Sequence, residues 1–120
     1  MGRRSRRQGR REALPKAPER DYADAQGNVL ALRGSLSPGS RRQYAAALAG
    51  SPLSREDAEQ RAFELLFERL AVRWTISGVP TQGQKELLAR LRIASPAERV
   101  WVRETLRSHC AELFPDVQAP

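Results

Sequence analysis

Residues 54–83 read SREDAEQRAFELLFERLAVRWTISGVPTQG, and they carry the strongest helical periodicity in the chain. Ser54-Arg55-Glu56-Asp57 has the spacing of an N-terminal capping box, with an acid three residues after the cap. Beyond it Phe63, Leu66, Phe67, Leu70 and Trp74 recur at three- and four-residue intervals and so share one helical face. Ala58, Leu65, Val72 and Ile76 form a second stripe on nearly the opposite side, as expected of a central helix packed on two flanks or of one that also forms a dimer face. The pattern predicts one helix over residues 55–77, stopped by Ser77-Gly78 and Pro80. Asp57, Glu64 and Glu68 fall on its outer face as solvated charges, with Asp57 within reach of Arg61.

The flanking sequence is punctuated in the same way. Ser37-Pro38 reads as a cap with proline at the first helical position, and Gly50 closes that segment, giving a helix over 38–49. Thr81-Gln82-Gly83-Gln84 repeats the capping pattern and starts a helix over 82–93. Ser95-Pro96-Ala97-Glu98 combines cap, proline and box glutamate and launches a helix over 96–113, which ends near Phe114-Pro115. Upstream, YADAQGNVLALRG (residues 22–34) sets a polar turn around Gly27 between two short segments, the pattern of a β-hairpin over 21–34. Two strands alone are marginal in water, so this hairpin must pack on helices. The expected fold is therefore mainly α: a small bundle of about four helices, preceded by a short hairpin.

Charge divides the chain differently. Residues 1–20 hold eight Arg or Lys against Glu12 and Glu19, net +6, whereas residues 21–120 hold thirteen against twelve acids, net +1. LPKAPER (residues 14–20) adds two prolines that disfavour helix. The expected organisation is a disordered arginine-rich arm over 1–20 and a single small domain over 21–120. Arg3, Arg4, Arg6, Arg7, Arg10 and Arg11 in the arm can each displace a counterion from a nucleic-acid backbone, giving salt-sensitive and sequence-blind affinity. No aromatic residue lies between them to add base stacking.

The chemistry-bearing residues are few. His109 and Cys110 are neighbours, and neighbours on a helix project about 100° apart, so they do not form a nucleophile–base pair from that spacing. His109 falls beside Val102, Leu106 and Leu113, near Glu112, as a packed histidine. With one His and one Cys in the chain, no metal site is expected, and the scattered glycines form no phosphate loop. No catalytic residue and no cofactor are assigned. One cysteine permits no intrachain disulfide, no apolar run approaches a membrane span and no secretory signal follows the arginines, so a cytoplasmic protein without membrane contact is expected.

KELLARLRIASPAERVWVRETLRS (residues 85–108) resembles the helix-turn-helix of bacterial regulators over about 25 residues. The resemblance implies a small residue, Ala89, packed beneath a recognition helix that starts at Ser95-Pro96 and displays Arg99, Arg103 and Arg107 at four-residue spacing. The turn lacks glycine, and Val100 stands one place late for the apolar position of that helix. An ordinary helical hairpin with a basic side explains the same residues. The reading of function is a non-enzymatic binding protein whose arm, aided by Arg99, Arg103 and Arg107, contacts RNA or DNA. The alternative is an adaptor or accessory subunit that docks a protein partner, or a second copy as a homodimer, through an apolar helical surface, with a passive tail.

Overall fold

The structure is a computed structural model that describes residues 17–50 and 54–120. The arm arginines Arg3, Arg4, Arg6, Arg7, Arg10 and Arg11 lie outside the described residues. Among the described residues, four strands and four helices follow in the order β1 (Arg20–Ala23), β2 (Val29–Leu32), α1 (Pro38–Ala49), α2 (Arg55–Leu70), β3 (Ala71–Ile76), β4 (Val79–Gln82), α3 (Gln84–Arg92) and α4 (Pro96–Leu113). The strands form one antiparallel sheet in the order β1-β2-β3-β4, with α1 and α2 inserted between its two central strands.

This sheet overturns the expectation of a mainly helical bundle. The helix expected over 55–77 ends at Leu70, and the chain turns extended at Ala71 (φ −70°, ψ 128°). From there Val72, Thr75 and Ile76 are β-branched and Trp74 is aromatic, residues that fit a pleated surface better than a helix. Ser77 and Gly78 both have positive φ, the conformation of tight two-residue hairpin loops, and Ile76 pairs with Val79 across them. Trp74 kept the helical spacing because β3 leads back under the core that α2 faces. Its ring meets Phe67 edge-on, with centroids 6.1 Å apart. The second stripe is likewise no helical face: Ala58 and Leu65 lie on α2, Val72 and Ile76 on β3.

The helix expected over 82–93 starts later, because Thr81 and Gln82 belong to β4. Its cap is Gly83 (φ 90°), with no side-chain capping bond. The serine caps do open helices: Ser37 accepts from the Ser40 amide, Ser54 from the Asp57 amide, and Ser95 and Glu98 close a reciprocal capping box.

Directly opposed residues lie on one face of a sheet, and the cross-strand row Tyr22, Leu30, Trp74, Thr81 marks the face toward the helices. Leu30, Leu32 and Trp74 pack there with Phe63, Leu66, Phe67 and Leu70 of α2, Leu87 and Leu91 of α3, and Val102 and Leu106 of α4. At the junction of α2 and β3, the Leu70 carbonyl has no helical partner and accepts from the Arg33 amide at 2.8 Å, which joins the end of β2 to the end of α2. The two hairpins are also tied together: Asn28 Oδ1 accepts from the Ser77 amide at 3.0 Å. Among the described residues no helix is long and apolar enough to cross a membrane.

Candidate functional site

Where α3 ends and α4 begins, the backbone turns through Ile93 and Ala94, and charged side chains fasten the corner. Glu98, already in the capping box, also accepts from Arg90 at 2.7 Å. The Ser95 amide, and then Arg90, hold the Glu98 carboxyl below the usual carboxylate range. Arg90 in turn lies over the Trp74 ring, 5.0 Å from its centroid, so the corner is pinned to the sheet. Arg99, one turn into α4, donates to the carbonyl of Arg92 at 2.8 Å. Arg92 is the last residue of α3, so this cation serves an orphan acceptor at the negative end of the helix dipole.

That arrangement encloses a cleft of 130 Å³ between α2, α3 and α4, lined by Gln60, Phe63, Glu64, Leu91, Arg92, Arg99 and Arg103. Each arginine is held by its neighbours. Arg103 stacks on Phe63, 4.8 Å from the ring centroid, and donates to Gln60 Oε1 at 3.1 Å. Arg92 donates to Glu64 Oε1 at 3.0 Å. A guanidinium carries five N–H donors, so each retains donors beyond the contact that positions it. Three guanidinium groups and one carboxylate leave the cleft with two net positive charges. Among the described residues, neither Arg99 nor Arg103 forms an ion pair with a carboxylate.

Of the residues singled out from sequence, the structure brings Arg99 and Arg103 together. Arg107 stands apart, exposed on a separate groove beside Ala111, Pro115 and Val117. Ala89 is exposed rather than packed beneath α4. Sequence reasoning missed Arg92 and Glu64. Glu64, expected as a solvated charge on an outer helical face, has a side chain only 23% exposed that faces Arg92. Phe63, expected in the core, is buried there, and its ring also carries Arg103.

His109 and Cys110 occupy closed positions in the core. A carbonyl can only accept, so the 2.8 Å contact to the Arg33 oxygen places a proton on His109 Nε2. Nδ1 then accepts from the Tyr22 hydroxyl at 2.7 Å. Burial holds the imidazole below its ordinary pKa and pushes the Cys110 thiol up to about 11, so both stay neutral near pH 7. Among the described residues no group of three or more His, Cys, Asp or Glu could hold a metal ion. Comparison with protein-family models, curated proteins and solved structures finds no match.

Proposed function

We propose that the protein binds nucleic acid through its phosphate groups, with the Arg92–Arg99–Arg103 cleft as the folded contact and the six arm arginines as an additional sequence-blind one. The observation that carries this reading is the convergence of three guanidinium groups on one cleft that holds a single carboxylate. Arginine's planar fork matches phosphate oxygens two at a time, and guanidinium groups already fixed by neighbours lose less freedom on binding than free side chains. In this reading the protein acts by binding rather than by catalysis.

Anisotropy of a labelled oligonucleotide, measured over a series of salt concentrations, tests it. Binding weakens steadily with salt, and the Arg99→Gln/Arg103→Gln double variant has a log–log slope shallower by about 1.4 on a single strand or about 1.8 on a duplex. Removal of residues 1–16 weakens binding further. Absence of binding at low salt, or a slope unchanged by either alteration, contradicts the proposal.

A second reading rests on Ile93 and Val100, which are 78% and 56% exposed near the same corner. Exposed apolar residues of this size are features of protein-docking surfaces. In that reading the protein is an adaptor, and an Ile93→Ser/Val100→Ser variant loses a protein partner while its oligonucleotide binding is unchanged.

A further inference from the structure

Resting on the nucleic-acid reading above, we infer that the cleft is selective for the terminal phosphate of a strand, a phosphomonoester, over the diester phosphates within it. Two features of the cleft separate these ligands. The first is charge: Arg92, Arg99 and Arg103 against Glu64 leave two positive charges, which match a monoester dianion, whereas a diester carries one negative charge. The second is size and shape. At about 130 Å³ the cleft accommodates one phosphoryl group, which can meet all three guanidinium groups at once. A monoester offers three unsubstituted oxygens to three guanidinium groups; a diester offers two.

The walls support the same ligand. Phe63 and Leu91 are buried and apolar, so on that side the arginines meet no competing hydrogen-bond partner, and their donors are left for a charged acceptor. Arg103 is fixed by Phe63 and Gln60, and Arg99 by the end of α3, so two of the three donors stand in place before a ligand arrives. Arg92 is the adjustable member. A phosphate entering the cleft takes over the donor that Glu64 holds in the unliganded protein.

The test uses the full chain and three internally labelled single strands of one sequence, ending in 5′-hydroxyl, 5′-phosphate or 3′-phosphate. At pH about 7.5 one of the phosphorylated strands binds at least about fivefold more tightly than the hydroxyl strand, and the margin shrinks at pH about 5, below the second phosphate ionisation near 6. Inorganic phosphate erases the margin at concentrations that leave the hydroxyl strand bound. Arg99→Lys, which keeps the charge but not the planar fork, reduces the margin while its thermal transition stays within a few degrees of the parent.

Equal affinity for all three strands overturns the inference and leaves backbone binding standing. Failure of every strand to bind at low salt overturns both. Binding of a phosphoserine peptide in preference to the phosphorylated strands also overturns it, by assigning the cleft to a protein ligand.

Discussion

The Tyr22 hydroxyl donates to His109 Nδ1 across 2.7 Å, joining the first strand to the last helix. The other ring nitrogen donates to Arg33 at the end of β2, and the ring meets Phe114 edge-on, so one imidazole holds both strands of the N-terminal hairpin against the end of α4. Tyr22→Phe removes the donor and leaves a buried acceptor unpaired, which costs about 1–3 kcal/mol. Denaturant unfolding measures that loss. A cost within a few tenths of a kcal/mol would show that the bond is not a tie.

Stability depends on pH through the same residue. Burial lowers the folded-state pKa of His109 below the ordinary 6.5, so the unfolded chain takes up the proton first. The stabilisation is therefore fully present above pH about 6.5 and is lost as pH falls through that value toward the folded-state pKa. The groups that act on the ring are the Arg33 carbonyl, Tyr22, Arg20 and Glu112; the Arg20 charge opposes protonation and Glu112 favours it. Arg20 also pairs with Glu112 at 2.7 Å and holds that carboxyl low, so Glu112 itself titrates in a separate, more acidic window. Thermal unfolding from pH about 7.5 to about 5.5 should show a falling midpoint, and His109→Gln should flatten the slope. An equal slope in the variant would assign it to other groups.

Gly34 sits where the entering chain crosses the end of the hairpin. A Cβ at this position would stand 2.3 Å from the Pro18 carbonyl oxygen and 2.9 Å from the Ala17 Cβ. Gly34→Ala must displace that segment and costs about 1–3 kcal/mol. Calorimetry of the substitution in the full chain and in a chain beginning at Glu19 checks the cause. The cost should largely vanish in the shorter chain; if it persists there, the crossing is not its source.

Glu64→Gln removes the one carboxylate that lines the cleft among the described residues and frees Arg92, which is 61% exposed. An ion pair that exposed is worth at most about 1 kcal/mol, so oligonucleotide affinity should rise about two- to fivefold in the anisotropy assay. A fall in affinity would mean that Glu64 positions Arg92 for the ligand rather than competing with it.

The capped helices were legible because caps are local. Ser37-Pro38, Ser54 and Ser95-Pro96 each state their role within four residues. The N-terminal hairpin was legible too, from the turn around Gly27, but the second half of the sheet was not, because Leu70 and Trp74 kept a four-residue spacing across the point where backbone geometry changed. The cues to the change lay in the β-branched Val72, Thr75 and Ile76 and in the Ser77-Gly78 loop, and these cues were outweighed by periodicity. At the site, four-residue spacing identified Arg99 and Arg103 but also included Arg107, since a helix row says nothing of where a neighbouring helix ends. Arg92 and Glu64 reach the cleft from α3 and α2, and only the packing of three helices puts them beside α4.

Arginine side-chain Nε–H resonances, followed by NMR while an oligonucleotide is titrated into the full chain, report most directly on whether the cleft holds phosphate. The Arg99 and Arg103 signals should shift together and saturate with the same dissociation constant as the anisotropy. If both stay in place when the oligonucleotide is fully bound, the phosphate lies elsewhere and the assignment of the cleft is wrong.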